Sequence, residues 1–76
     1  MKPIILPAAV DVVERWAECE ARNSVMCWRA LSSLLLAYSR LEFHANRFHV
    51  ANDLLTLSEL AQQHAADLAP FEDIAA

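Results

Sequence analysis

The 76-residue chain contains no glycine. Average usage of ~7% would give about five. Glycine enters the left-handed backbone region without steric cost, and it builds hairpin turns and phosphate-cradling loops. Its absence excludes a glycine-rich nucleotide-binding fingerprint and argues against a sheet-rich fold. A helix end that needs a left-handed residue must take asparagine or leave its carbonyls to water. Long apolar runs are missing too. No stretch reaches the ~20 residues that span a bilayer, because Arg29, Arg40 and Arg47 interrupt the best candidate. A secretory leader is not expected, since Ile4-Ile5-Leu6 is too short and Asp11 follows soon after. Cysteine is limited to Cys19 and Cys27, which form no close motif. Reduced thiols in a cytoplasmic protein are the simplest expectation.

Polar residues are also scarce. The hydrophobic fraction is 57%, above the roughly 45–50% usual for globular chains. A chain this short makes a single domain (1–76) and buries only about 60% of the surface its unfolded form exposes. Such small cores often rely on a disulfide, a metal or a partner subunit. The apolar excess therefore points to a homodimer or a protein partner.

The net charge of −4 is unevenly distributed. Lys2, Arg15, Arg22, Arg29, Arg40 and Arg47 supply every positive charge and lie in the first 47 positions. Asp53, Glu59, Asp67, Glu72 and Asp73 follow with no base among them. An acidic final third can repel nucleic acid or mimic it, and its simpler reading is a solvated helix face and a soluble tail.

Periodicity assigns the chain to the all-α class, as a three-helix bundle-like domain with a long central helix. An apolar N-terminal arm (1–6) lies between Pro3 and Pro7. Helix 1 is expected over 7–23, with Ala9, Val12, Val13, Trp16 and Cys19 inward. Asn23 ends it and Ser24 caps the next helix. Arg15, Arg22 and Arg29 keep seven-residue spacing across that break, which leaves a continuous helix open. Helix 2 is expected over 24–48. Its apolar row runs Cys27, Leu31, Leu34, Tyr38, Leu41, Ala45, Phe48, in alternating steps of 4 and 3. Helix 3 is expected over 53–69, with Thr56 and Glu59 as a capping box and Leu54, Leu57, Ala61, His64 and Leu68 inward. Pro70 stops it, and 70–76 is a tail.

Catalytic and metal patterns are weak. Cys27 falls in the core row, and free cysteine is among the most buried residue types. His44 and His49 lie about 140° apart on a helix, so they share no face, and neither pairs with a cysteine at finger spacing. No enzyme activity, cofactor or metal is expected. Residues Leu55 to His64 resemble the first helix of a helix-turn-helix. That resemblance implies a small dimeric DNA-binding or transcription-regulating protein. The segment that follows, Ala65 to Asp73, departs from the pattern: it lacks a turn glycine and any Arg, Lys, Asn or Gln to read bases, and it holds three acids.

The strongest pattern is the far side of helix 2. Arg29, Leu36, Arg40, Phe43 and Arg47 fall within about 40° of one line. Arginine and aromatic residues are favoured at binding hot spots, and an arginine stem can lie over an aromatic ring while its head pairs with an acid. The expectation is a noncatalytic interaction module, a small adaptor, regulator or inhibitor, with these five residues as its partner-binding surface. The partner is a larger protein, a second copy of the chain, or both. Nucleic acid is disfavoured and a membrane is not expected.

Overall fold

Helix 1, helix 2 and helix 3 fold as a flat stack: α1 (Pro7–Arg22), α2 (Val25–His44) and α3 (Phe48–Ala75). The computed structural model describes residues 7–75. The arm expected over Met1–Leu6 lies outside them, as does the side chain of Ala9. The described residues are helical apart from two short connections, with no strand among them.

Both connections turn on asparagine, as a chain without glycine requires. Asn23 (φ 51°) and Asn46 (φ 63°) are left-handed. Asparagine tolerates this region better than other non-glycine residues. The Asn23 N–H donates to the Cys19 carbonyl at 2.7 Å and closes α1. The Asn46 N–H donates to Phe43 O at 3.0 Å and the Arg47 N–H to Glu42 O at 2.9 Å. These two bonds form a Schellman ending to α2. The helix 1–2 break is therefore real. Helix 2, however, ends at His44 and not at 48.

Helix 3 corrects the sequence reading at both ends. It starts at Phe48, directly after the second turn, and not at 53. The capping box at Thr56 is absent: Thr56 lies inside the helix and its Oγ1 donates to the Asn52 carbonyl at 3.0 Å. A threonine hydroxyl can serve either end of that choice, and the left-handed Asn46 has already set the start. Pro70 does not stop the helix, which runs through to Ala75. Proline lacks the N–H that the Ala66 carbonyl would accept. Ala66 and Pro70 are both exposed, so water reaches this side of the helix. Beyond the proline, Glu72 Oε1 accepts the Val25 N–H at 3.0 Å. Ser24 sits extended at the N-cap of α2 without a side-chain cap bond, and Glu72 does that work from another helix. A carboxylate there also meets the positive end of the α2 dipole.

The most buried row of α2 is Val25, Trp28, Ser32, Leu35, Ser39. It is rotated by one residue from the expected row. Leu31 is buried, and Cys27, Leu34 and Tyr38 are half-buried, but Leu41 is 64% exposed and Phe48 begins α3. The same rotation holds in α3, where Ala51, Ser58, Ala61 and Ala65 are buried and His64 is exposed. Two antiparallel helices meet on these rows. Their small residues let the backbones approach, and three hydroxyls bridge them. Ser32 Oγ donates to Ser58 O at 3.0 Å, Ser58 Oγ donates to Ser32 O at 2.9 Å, and Ser39 Oγ donates to Ala51 O at 2.7 Å. Each buried hydroxyl thus has a carbonyl partner, which removes the cost of its burial.

The apolar rows expected from sequence face the third helix. α1 lies across them, antiparallel to α2. Cys19 meets Cys27 near one end, and Asp11 accepts from the Tyr38 hydroxyl at 2.9 Å near the other. Between them, Trp16 packs edge-on to Trp28 with centroids 5.0 Å apart. His64 stacks on Trp28 at 4.3 Å. The result is a body of 50 × 23 × 12 Å with a radius of gyration of 14.0 Å, against about 11 Å for a globular chain of this length.

Candidate interaction face of the helical hairpin

α1 covers one side of the α2–α3 hairpin. The other side carries no helix of this chain among the described residues. Of the five residues singled out by sequence, the structure brings three together there. Leu36, Arg40 and Phe43 line a shallow groove with His44, Asn52 and Leu55. Its volume is about 280 Å³. Leu36 is half-buried on its floor, while Phe43 (58% exposed) and Leu55 (40% exposed) stand on its sides. Phe43 is held edge-on by Phe48 across the turn, with centroids 5.2 Å apart. This second aromatic was read as core of helix 2 and belongs instead to the exposed surface. Phe48 opens α3 and so leaves the helix 2 row, and Leu55, inside the expected helix 3, is exposed on the same surface.

Arg29 lies on the same side, about two turns before Leu36. It lines a second depression with Ser33, Gln62 and Ala66. Among the described residues neither Arg29 nor Arg40 has a carboxylate partner, in contrast to the paired Arg15, Arg22 and Arg47. Arg47 does not share their face. It follows the left-handed Asn46 in the α2–α3 turn, and its Nε pairs with Glu42 Oε2 at 3.0 Å. A helix that ends at His44 cannot carry Arg47 on its seven-residue line.

The charges on α1 are organised differently. Arg15 Nε contacts both oxygens of Asp11, at 3.0 and 2.9 Å. The Tyr38 hydroxyl, then Arg15, hold the Asp11 carboxyl below the usual carboxylate range. The same bond pushes the Tyr38 phenol up, since ionising it would remove the proton it donates to Asp11. This trio fastens α1 to α2 and leaves no free charge for a ligand.

Leu55 to His64 lies within one uninterrupted helix, with no turn and no second helix after it. Among the described residues no three His, Cys, Asp or Glu side chains gather as a metal-binding group, and no helix is long and apolar enough to cross a membrane. The chain matches no protein-family model, and no curated protein or solved structure matches it either.

Proposed function

We propose that the chain is a noncatalytic interaction module that binds a larger protein through the hairpin face opposite α1, as a small adaptor, regulator or inhibitor. The observation that carries this reading is the groove of Leu36, Phe43 and Leu55 beside the guanidinium of Arg40, which has no carboxylate partner among the described residues. Apolar floor, aromatic wall and a cation without a partner are the parts of a binding hot spot. Phe48, exposed and edge-on to Phe43, extends the same surface beyond the groove. A partner that fits presents an apolar side chain flanked by carboxylates. Homodimerisation is a second use of the face, favoured by the thin core of a single 12 Å layer. A cytoplasmic location accords with two thiols left free.

The test is solution mass by light scattering across concentration, for the parent and for Phe43→Glu. Self-association through this face gives a mass above 8.5 kDa, rising toward about 17 kDa for a pair. The Phe43→Glu variant is expected to keep its helix content and to lose association. Outright unfolding of that variant places Phe43 in the core and removes the proposed surface.

A further inference from the structure

The α1–α2 junction holds a feature that the interaction face does not use. Cys19 and Cys27 approach to 2.7 Å between sulfurs, across the interface of two different helices. They are free thiols, Cys19 buried and Cys27 half-buried. A disulfide bond is ~2.05 Å long, so joining them asks for a shift smaller than a bond length. The geometry points to a redox modification site: Cys19 and Cys27 close to an intramolecular disulfide that clamps α1 to the hairpin, with a low-molecular-weight disulfide such as oxidised glutathione as the oxidant.

Access and order follow from the surroundings. A groove of about 270 Å³ opens over the pair between Arg15 and Glu18 of α1 and Ala30 and Leu34 of α2. Cys27 is the more exposed sulfur and meets the oxidant first. Its thiolate attacks one sulfur of oxidised glutathione, the glutathione S–S bond breaks, and one glutathione thiolate leaves. The Cys19 sulfur then attacks Cys27, displacing the second glutathione as the new S–S bond forms. The two cysteines together lose two electrons and two protons, and the two glutathiones gain them. Burial, with the neighbouring Cys27 second, pushes the Cys19 thiol up to about 12. Cys19 is also the buried sulfur, so a solvent oxidant meets Cys27 before it meets Cys19.

The clamp acts where α1 has few other ties. Besides the cysteines, α1 is fastened by Asp11–Tyr38, by buried Val12 and by Trp16 against Trp28 and His64. The disulfide closes a short loop around Asn23 and Ser24, and it fixes the helix that shields Trp28.

The pair is eight positions apart, so even the unfolded chain can join it, and the test must separate fold from proximity. The full chain is equilibrated in glutathione redox buffers, natively and in denaturant. Closure is read as a mass lower by two hydrogens and as loss of reactive thiols. The expected result is an effective concentration at least ~10-fold higher in the native chain than in denaturant. By linkage the oxidised chain then melts above the reduced one. Cys27→Ser is expected to leave Cys19 unmodified by glutathione in the native state. Equal effective concentrations, a stable glutathione adduct on Cys27, or disulfide-linked dimers in place of the closed monomer would each overturn the assignment.

Discussion

Ser58 is the position where packing and hydrogen bonding are tested together. It is 2% exposed, on the seam where α2 meets α3. Its hydroxyl donates to Ser32 O at 2.9 Å, and its own carbonyl accepts from Ser32 Oγ at 3.0 Å. Ser58→Ala removes one donor and leaves the Ser32 carbonyl with its helical partner, so no buried group is orphaned. The cost is one net hydrogen bond, about 1 kcal/mol. In a domain of this size that lowers Tm by about 4–8 °C. Ser58→Leu loses the same bond and adds bulk where Ser32 and Ala61 leave no room. Overpacking costs a further 1–3 kcal/mol or so, about 2–4 in all, against a total stability of only about 4–11 kcal/mol for a chain this long. Ser32→Ala should match Ser58→Ala. The double alanine variant should fall short of the sum by about 0.5 kcal/mol, because the two hydroxyls also share a 3.0 Å contact. Ser33→Ala, one residue away and exposed, should stay within about 0.5 kcal/mol of the parent. The assay is thermal and urea unfolding followed by far-UV circular dichroism at one fixed concentration, since association would move Tm. A Ser58→Leu chain that melts within about 2 °C of the parent refutes the close-packed hairpin.

Three further outcomes follow from single contacts. Asn46→Ala should cost about 1 kcal/mol through left-handed strain, while Asn46→Gly should be neutral or stabilising, and equilibrium unfolding separates the two. Glu72→Ala should cost about 1 kcal/mol by uncapping Val25, and hydrogen exchange should then speed up in the last turn of α3 and at the start of α2; unchanged protection means that Glu72 caps nothing. The Asp11 carboxyl, held low by Tyr38 and then Arg15, stabilises the fold fully above the ordinary carboxylate value of 3.8, and the effect fades as pH falls through its lower folded value. Tyr38→Phe should bring the Asp11 titration back toward that ordinary value in a carboxyl NMR experiment, and an unmoved titration would dissociate the two residues.

The all-helical class, the Asn23 break and the Arg40–Phe43 neighbourhood could be read from the sequence because each depends on local spacing. The α2–α3 seam could not. Its centre is Ser32, Ser39 and Ser58 among alanines, and a hydropathy pattern scores serine as surface. The leucine-rich rows beside it looked like the core and turned out to hold α1. Only the carbonyl across the interface makes a serine a core residue, and that carbonyl belongs to another helix. The α2–α3 turn was hidden for a related reason. Asn46 ends a helix without glycine or proline near it, so the apolar period ran on through Arg47 and Phe48. That one extension puts Arg47 on a face it does not share and Phe48 in a core row it does not join.

The charge arrangement makes the choice between self-association and a foreign partner accessible to salt. The bare face spans about 30 Å along α2 at 1.5 Å per residue, and it is two helices wide, roughly 20 Å. That is on the order of 600 Å², comparable to the ~800 Å² each partner contributes to a standard interface. In a two-fold dimer, α2 meets either the other α2 or the other α3. α2 against α2 brings the Arg29 and Arg40 side chains of the two copies onto one contact, and like charges at a contact are repulsive. Such a dimer should tighten as salt screens them. α2 against α3 sets the arginines opposite the side of α3 that carries Glu59, one turn before Gln62 of the second depression. That dimer should loosen with salt, and Glu59→Lys should weaken it further. A foreign partner with carboxylates around an apolar anchor loosens with salt as well, but Glu59→Lys then strengthens binding by removing a like charge. The sign of the salt effect combined with the sign of the Glu59→Lys effect therefore assigns the occupant of the face, and an association indifferent to both would mean that Arg29 and Arg40 lie outside the contact.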